Sequence, residues 1–471
     1  NVLANPQFGA IVSELYTGYT WWRNSRECKL TPWSNDPAAD PPGEMCFVRD
    51  EESGEFWTAA PSRGSLDGPH TVAHGRGYTR FEHENRGLQH EMVVFVPLAN
   101  PVKVVRLKLK NISGEPRRLS VTYYAEWVLG VHRAANAAHI VTDWDEPASV
   151  LLARNAYQEP FRDATAFLAV QLEENAADST AGAAGKARDL SWTADRLEFL
   201  GRGGMRERPA AMFRERLSGR TGAMHDACGA VQVKFTLDPG AEETVYVLLG
   251  CERSRENAVR LAAEYRRPGY CDQALREVVD YWDRVCGQLS VSTPSKEMDI
   301  LLNNWLLYQT LACRIWARTA FYQSGGAFGF RDQLQDALAL MHTAPDFARA
   351  QILLHAAHQY EEGDVQHWWH EETERGIRTR FSDDALWLPY AVARYVEHTG
   401  DDSVLDEMVP YIRSEPLGED EYERYEPTEP SERRGTIFEH CLRAIDGKLR
   451  FGEHGLPLIG IGDWNDGLSR A

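Results

Sequence analysis

The spacing of apolar residues changes near residue 270, and this change constrains the fold more than any other feature of the sequence. Before it, apolar and polar residues alternate along 102–110 and 118–125, as they do in half-buried strands. Similar runs of strand character occupy 91–97, 150–153, 165–172, 230–237 and 243–249. Many strands separated by turns, with few helical segments, predict an antiparallel β-sandwich over residues 1–270.

After residue 270 the apolar positions recur at helical spacing. Predicted helices cover 272–288, 296–318, 332–342, 346–360, 384–399, 403–412 and 439–446. We assign 271–294 to a helical linker and 295–471 to a second domain of helical hairpins packed side by side. The charged, proline-containing segment 415–434 is expected to be an exposed loop between these helices.

Two stretches of the first domain have loop composition. The first eighty residues are dense in aromatic, proline and short polar residues, and their Trp21, Trp22, Trp33 and Asp36 could reach a ligand. The alternative is a self-packed loop that caps the sandwich. Residues 173–188, rich in alanine and glycine, are expected to form a surface excursion.

The composition excludes one class of partner and indicates a compartment. A net charge of −19 gives no electrostatic support for binding nucleic acid. Eight scattered cysteines without a CxxC pair predict reduced thiols in a cytoplasmic protein or in the cytoplasmic domain of an inner-membrane protein. No apolar run reaches membrane-spanning length. The chain starts without Met, and we expect it to be a piece of a longer polypeptide.

The segment 459–467 carries the densest chemistry of the chain. Asp463, Trp464, Asn465 and Asp466 follow one another between glycines, in a loop that packs two carboxylates beside an indole. An indole offers an apolar face to a pyranose ring, and carboxylates can hold hydroxyls or protonate a glycosidic oxygen. The alternative is a turn with Asp463 as a helix N-cap and Trp464 as a core anchor.

A second candidate segment is the glycine-rich approach to the helix predicted at 332–342. Arg331 and Asp332 lie at the start of that helix, and Asp336 follows one turn later on the same face as Asp332. An arginine with two carboxylates supplies forked donors and acceptors for a ring with several hydroxyls. The alternative is a helix cap with a local ion pair.

Two further segments complete the candidate pocket. In 361–370, Trp369 and His370 belong to a run of two indoles flanked by histidines that could form one wall of a sugar pocket. His367 and His370 lack an obvious third ligand, and we predict no metal site. In 376–389, Arg378 could face an anion such as phosphate, or the segment is a solvated helix entry with Asp383 near the N-cap.

Four blocks, 330–336, 363–370, 378–390 and 462–466, resemble the inverting β-glucoside phosphorylases of glycoside hydrolase family 94. They occur in the order found in that family. The opening of the chain, at 5–9, 30–36, 41–44 and 126–130, is similar to the C-terminal phosphorylase-like region of cyclic β-1,2-glucan synthases. The resemblance covers nearly the whole chain.

The resemblance implies an N-terminal β-sandwich, a helical linker and an (α/α)6 barrel that is incomplete in this chain. It implies that Asp466 is the general acid and that Trp464, Arg331 and Asp336 bind the non-reducing glucose. We add Asp463, Trp369, His370 and Arg378 as further substrate contacts. Inorganic phosphate would be a co-substrate, with no cofactor, and the protein would be a homodimer or a part of a larger membrane-bound synthase.

The predicted activity is inverting phosphorolysis of β-linked glucans, with β-1,2 linkages favoured, to α-glucose 1-phosphate. Phosphate is already an anion, so a single catalytic carboxylate suffices. Two alternatives remain open. One is an inverting β-glucan hydrolase, which needs a second carboxylate to activate water. The other is a non-catalytic glucan-binding module of a cyclic β-1,2-glucan synthase.

Overall fold

The computed structural model describes residues 1–36, 38–62, 68–173, 189–459, 462 and 465–466. The chain divides into two compact units: Asn1–Trp282 with Thr319–Gly325, and Asp283–Arg318 with Gly326–Ala471. The boundary therefore falls inside the segment 271–294 that we assign to a linker. Within the described residues, no helix combines the length and the apolar character needed to cross a bilayer.

The first unit consists of three antiparallel sheets. Its strands are β1 (Val2–Asn5), β2 (Phe8–Ile11), β3 (Thr20–Trp22), β4 (Glu44–Asp50), β5 (Phe56–Thr58), β6 (His70–His74), β7 (Tyr78–Asn85), β8 (Leu88–Phe95), β9 (Val102–Asn111), β10 (Arg117–Glu126), β11 (Ile140–Asp145), β12 (Val150–Asn155), β13 (Thr165–Leu172), β14 (Asp189–Asp195), β15 (Ala227–Leu237) and β16 (Glu242–Glu252). They are ordered β1-β2-β3, β14-β15-β10-β4-β5 and β11-β12-β13-β16-β9-β8-β7-β6. Short helices α1 (Arg133–Asn136) and α2 (Arg196–Leu200) lie in connections, and α3 (Arg255–Glu264) and α4 (Tyr270–Cys286) follow the last strand.

The core of the first unit lies between its eight-stranded and five-stranded sheets. On β9, Leu107 faces inward and pairs with Met92 of β8 and Val245 of β16. Val121 of β10 belongs to the same buried cluster from the opposite sheet. Alternation places every second residue in this core, so the strands predicted from period two are confirmed, and so is the antiparallel sandwich.

A charged pair is buried within this apolar core. Lys103 of β9 and Glu44 of β4 are hydrogen bonded to each other, and their exposed fractions are 2% and 6%. Thr20 of β3 accepts from the Lys103 ammonium at 2.8 Å and donates to Glu44 at 2.7 Å. Tyr123 also donates to Glu44. Burial raises the pKa of Glu44, but the charge and hydrogen bond of Lys103 outweigh it and lower the pKa. The pair therefore links the three sheets as ions.

The opening of the chain is more regular than its composition suggests. Trp21 and Trp22 lie in β3 and are buried, and a side chain at Gly9 would clash with the Trp21 ring. The Trp33 indole donates to the Phe321 carbonyl at 2.7 Å. Trp21 and Trp22 thus pack into the unit, as in the self-packed alternative. Most of the predicted surface excursion, at 174–188, lies outside the described residues.

One buried histidine of the first unit makes stability depend on pH. His90 of β8 lies against His83 and the Trp57 ring and is 3% exposed. Burial, with the nearby His83 and His70, lowers its pKa to about 3. A lowered histidine pKa means that the unfolded chain takes up the proton first as the pH falls below about 6.5.

We therefore expect acid to destabilise the first unit through His90. Between pH 7 and pH 5 the wild type should lose about 2 kcal/mol of unfolding free energy more than a His90→Phe variant. Urea unfolding at the two pH values measures the difference. Equal losses in the wild type and the variant would show that His90 is not buried in its neutral form.

The second unit begins with a long helical run. Helices α5 (Lys296–Ile300) and α6 (Leu306–Gln309) alternate with π-helical segments Leu301–Trp305 and Thr310–Ala317, so the prediction for 296–318 is confirmed. The run is followed by α7 (Phe330–Leu340), α8 (Pro345–Ala356), α9 (Trp387–Thr399) and α10 (Ile437–Lys448). Helices α7 to α10 contribute Leu334, Ile352, Leu388 and Ile437 to one core. A capping box between Thr436 and Glu439 starts α10.

Two predictions for this unit are wrong. Its strands are β17 (Phe328–Gly329), β18 (Gln366–His370), β19 (Arg375–Thr379), β20 (Met408–Arg413), β21 (Glu423–Pro427) and β22 (Glu429–Thr436), in the orders β17-β18-β19-β21 and β20-β22. The helix predicted over 403–412 is a short 3-10 turn followed by β20, whose Pro410 cannot donate within a helix. The predicted loop over 415–434 contains β21 and most of β22, because their charged residues occupy exposed strand faces.

Candidate active site

Side chains from four segments of the second unit meet around Asp466. They are Arg331 at the start of α7, His367 on β18, the pair Asp383 and Asp384 before α9, and Asp466 itself. Strands β17 and β18 pair, which places the start of α7 beside His367. The Gly329 amide donates to the Gln333 side chain at 2.6 Å, which satisfies one of the orphan donors where α7 begins.

Arg331 connects three carboxylates. It is 5% exposed, and its Nη2 donates to Asp466 Oδ1 at 2.8 Å. Its Nη1 donates to both oxygens of Asp383, at 3.2 and 3.3 Å, and lies 3.9 Å from Asp384 Oδ1. Burial lowers the pKa of Arg331, but the hydrogen bonds and charges of the carboxylates outweigh it and raise the pKa. The guanidinium is a fixed cation that orients Asp466.

His367 lies between two of these carboxylates. Its Nδ1 is 2.8 Å from Asp384 Oδ2 and its Nε2 is 3.6 Å from Asp466 Oδ2. Burial lowers the pKa of His367, but the hydrogen bond with Asp384 and the charges of both carboxylates outweigh it and raise the pKa. The Nε2 of His367 therefore faces Asp466, and the buried Asp384 fixes the orientation of its ring.

The chain near Asp466 is anchored through Gly462. Its carbonyl accepts from the Ser382 amide at 2.9 Å and from the Ser382 hydroxyl at 3.2 Å. A Cβ at Gly462 would lie 2.7 Å from the Phe381 ring, so glycine permits this close approach. The Phe381 ring also makes an edge contact with His367 at 4.7 Å between centroids. Phe381 and Ser382, just before α9, thus contact both His367 and the chain at Gly462.

The two oxygens of the Asp466 carboxyl group differ in their surroundings. Oδ1 accepts the Arg331 hydrogen bond, whereas the 3.6 Å between Oδ2 and His367 is longer than a hydrogen bond. The Asp466 side chain is 54% exposed, while those of Arg331 and Asp384 are 6% and 2% exposed. Oδ2 is therefore the oxygen of Asp466 that makes no hydrogen bond to the described residues.

Asp336 lies outside this cluster. Its carboxylate accepts from Arg314 Nε at 2.9 Å, and Asp332 lies 3.6 Å from the same guanidinium. Arg314 lies 22 residues before Asp336, so this ion pair differs from the local pair within 331–336 that the helix spacing left open. Burial raises the pKa of Asp336, and Arg314 opposes the shift. Among the described residues, no contact joins Asp336 to Arg331 or Asp466. The structure therefore does not place Arg331 and Asp336 in one sugar-binding site, as 331–336 predicted.

The residues predicted to form a wall of a sugar pocket and an anion site are buried inside the second unit instead. Trp369 is 1% exposed and stacks between Phe328 and His358, and His370 is 4% exposed at the end of β18. Arg378 is also buried; it donates to both oxygens of Asp364, at 2.7 and 2.8 Å.

These placements correct the roles expected for three side chains. Trp369 is a core residue with no open face, and buried His370 does not line an open pocket. Arg378 also donates to Glu362 at 3.0 Å and covers the Tyr360 ring, so its guanidinium is already engaged by carboxylates. Asp463 and Trp464, the other two predicted contacts, lie outside the described residues.

Sequence reasoning missed the importance of His367, Asp383 and Asp384. The sequence suggested His367 as part of a sugar-pocket wall or as a metal ligand, and Asp383 as a helix cap. Asp384 is 17 residues from His367 along the chain, and only the pairing of the strands around β18 brings them together. The spacing of the motifs carries no signal for such a contact.

Two family models match the chain and together cover nearly all of it. The model described as "Glycosyl hydrolase 94, supersandwich domain" matches residues 1–268. The model described as "Glycosyl hydrolase 94 superfamily, catalytic domain" matches residues 281–471. The first of these models matches the β-sandwich, and the second includes the whole cluster around Asp466.

Individual proteins show the same relationship. The chain is 42% identical over 474 residues to a cyclic β-(1,2)-glucan synthase, NdvB, of Rhizobium meliloti (strain 1021), covering 100% of the chain and 16% of that protein. It is 26% identical over 508 residues to an N,N'-diacetylchitobiose phosphorylase of Vibrio furnissii, of which it spans 59%. A bacterial glucoamylase solved with acarbose has the same fold, with a TM-score of 0.51 at 10% identity over 84% of this chain and 55% of that one. The expected fold class, an antiparallel β-sandwich followed by a helical domain of (α/α)6-barrel type, is confirmed.

Proposed function

The chain belongs to the glycosyl hydrolase 94 family, and we propose that it catalyses the inverting phosphorolysis of β-linked glucans to α-glucose 1-phosphate. Asp466 donates a proton to the glycosidic oxygen while an oxygen of hydrogen phosphate attacks the anomeric carbon from the opposite face. The bond between that carbon and the glycosidic oxygen breaks. The leaving sugar keeps the proton of Asp466, and the proton of hydrogen phosphate restores the acid.

The observation that carries this proposal is the unequal treatment of the two Asp466 oxygens. Arg331 fixes Oδ1 at 2.8 Å, and Oδ2 belongs to a side chain that is half exposed. A general acid needs a fixed carboxyl group with one oxygen open to the substrate. Arg331, with His367 beside it, stabilises the carboxylate formed by proton transfer, which lowers the barrier of the bond-breaking step.

A hydrolase is the second candidate, and one contact favours it. Asp383 shares the Arg331 guanidinium with Asp466 and is 22% exposed, so a second carboxylate stands in the same cluster. An inverting hydrolase would use such a carboxylate to activate water. We favour the phosphorylase because hydrogen phosphate needs no base, and because the Vibrio relative is named as a phosphorylase.

We propose β-1,2-linked glucose chains as the substrate. The support is the relative named as a cyclic β-(1,2)-glucan synthase, with which the chain shares 42% of its residues. The chain spans about a sixth of that protein, so a glucan-binding module without turnover is the remaining alternative. We further propose a homodimer in the cytoplasm, alone or as part of a larger membrane-bound synthase. The eight free thiols agree with a reducing compartment.

The proposal is tested with a panel of β-glucans differing in linkage, each incubated with phosphate and the polypeptide that carries these 471 residues. Glucose 1-phosphate should form, and β-1,2-linked oligosaccharides should give the highest kcat/KM. A higher kcat/KM with another linkage would contradict the proposal that β-1,2-linked glucose chains are the substrate. Glucan affinity by calorimetry without any turnover would leave the binding module as the function.

His367 offers a test of the positioning of Asp466. His367→Asn removes the imidazole that faces Oδ2 and the hydrogen bond to Asp384, and we expect kcat to fall by about 10-fold or more. KM should change little, because the lost interaction acts on the acid during proton transfer. Steady-state kinetics across pH measures both quantities. A variant with wild-type kcat and an unchanged pH profile would show that His367 serves the fold alone.

A further inference from the structure

A second polar site lies on the first unit, in a cleft of about 870 Å³ between the end of β3, strands β11 and β12 and the start of α3. We call it the arginine cleft because five arginines line it: Arg23, Arg154, Arg162, Arg253 and Arg255. The carboxylates that line it are Asp143, Asp163 and Glu256. The chain as a whole carries a net charge of −19, so this local excess of cations runs against the composition.

The arginines of the cleft are not equally engaged. Arg255 pairs with Asp143 and, at 2.9 Å, with Asp145. Arg162 makes one exposed pair with Glu159 at 3.3 Å. Within the described parts of the chain, the side chains of the other three cleft arginines make no hydrogen bond or ion pair.

Like charges held close together repel each other unless a counter-charge lies between them. The unengaged guanidiniums are Arg23, Arg154 and Arg253, and Arg23 lies over the Trp22 ring at 5.8 Å. Arg23 also adopts a left-handed backbone conformation, with φ at 60°. This conformation is uncommon for arginine and holds its side chain at the cleft. Asp163 and Glu256 offset part of this positive charge, and the arginines that line the cleft still outnumber its carboxylates.

The start of α3 adds to the positive potential of the arginine cleft. Ser254 caps this ten-residue helix by accepting from the Asn257 amide at 3.2 Å, and Ser254, Arg255 and Glu256 all line the cleft. The first turn of a helix presents free amides and the positive end of the helix dipole. Guanidinium forks and helix amides together match the oxygens of a phosphate group.

One part of the cleft wall is apolar. Trp22 and Phe161 meet edge to face at 6.1 Å, and Val141 and Leu152 lie beside them. The volume is in the range of sites for small organic ligands, about 300–1,000 Å³, and is too large for an inorganic anion alone. A ligand that fits has an anionic group and a ring with an apolar face, as a sugar phosphate has.

We propose that the arginine cleft binds a phosphate monoester of a sugar or short oligosaccharide. Arg154 and Arg253 hold the phosphate with the start of α3, and the apolar wall contacts the sugar ring. The site shares no residue with the cluster around Asp466. Its occupation therefore does not depend on whether the chain is a phosphorylase.

The test uses glucose 1-phosphate as the probe and isothermal titration calorimetry as the measurement. A double variant, R154A/R253A, should weaken the cleft component of binding by about 10-fold or more. A matched control is R260A, which removes an exposed arginine further along α3 and should bind like the wild type. Only the cleft component should respond to R154A/R253A, so binding that survives in the double variant is assigned to the site around Asp466.

Titrations with glucose and with inorganic phosphate test the separate contributions of the sugar and of the phosphate group to binding. Glucose 1-phosphate should bind more tightly than either, and raising the salt concentration should weaken its binding. Unchanged affinity in R154A/R253A, or no binding at all, would overturn the proposal. Equal affinity for glucose would overturn the role of the phosphate, and equal affinity for inorganic phosphate would overturn the role of the sugar.

Discussion

Replacing Asp466 by Asn is expected to lower kcat for phosphorolysis of an oligosaccharide by about 10²–10⁴-fold, the usual contribution of a general acid. The amide keeps the size of the side chain and can still accept from Arg331 through its oxygen. It has no proton to give to the glycosidic oxygen. Substrate affinity should therefore stay close to that of the wild type, and the loss should appear in kcat.

Substrates with different leaving groups distinguish proton donation by Asp466 from a purely structural role of this residue. With a dinitrophenyl β-glucoside the leaving oxygen needs little protonation, so D466N should lose far less activity than with an oligosaccharide. Asp446 of α10 is exposed, and Asp446→Asn is the matched control with unchanged rates on both substrates. Equal losses on the two substrates would mean that Asp466 does not act as the acid.

The second large effect is expected in the first unit, at the buried pair. Lys103→Met leaves the Glu44 carboxylate without its counter-ion inside the core, and the unfolding free energy should fall by about 3–5 kcal/mol. Thr20 and Tyr123 would still donate to Glu44, but neither carries a charge. Urea denaturation followed by fluorescence measures the change.

Two further variants identify the cause of that loss. Lys108, on the same strand β9, forms only a half-exposed pair with Glu242 at 3.7 Å, and Lys108→Met should cost less than about 1 kcal/mol. In the double variant Glu44→Gln/Lys103→Met no charge is left in the core, and part of the lost stability should return. A single variant as stable as Lys108→Met would show that the pair is not buried as ions.

The sequence predicted the elements whose periodicity is strong. Strand β13 has the predicted bounds, and helices α4 and α9 lie within two or three residues of theirs. Helices α4 and α9 each bury one face, so their apolar spacing reports the fold directly. Strand β13 is buried on both faces and is marked instead by a nearly continuous apolar run. The resemblance to family 94 placed Arg331 near Asp466, and the structure joins them at 2.8 Å.

Contacts between residues that are far apart in the sequence could not be predicted in this way. Nothing local shows that β20 pairs with β22, or that charged residues 423–427 form a strand against β19. The same holds for Arg378, whose sequence context suggested an exposed cation. Its carboxylate partners are 14 and 16 residues away, and burial with them costs less than burial alone. Contacts of this kind decide which candidate residues reach a ligand.

The most direct test of the proposed chemistry is to follow the products by NMR with a β-1,2-linked glucan, with and without inorganic phosphate. The polypeptide that carries this chain should release glucose 1-phosphate as the α-anomer, and only when phosphate is present. Release of free glucose without phosphate, or of the β-anomer with it, would contradict inverting phosphorolysis with Asp466 as its single acid.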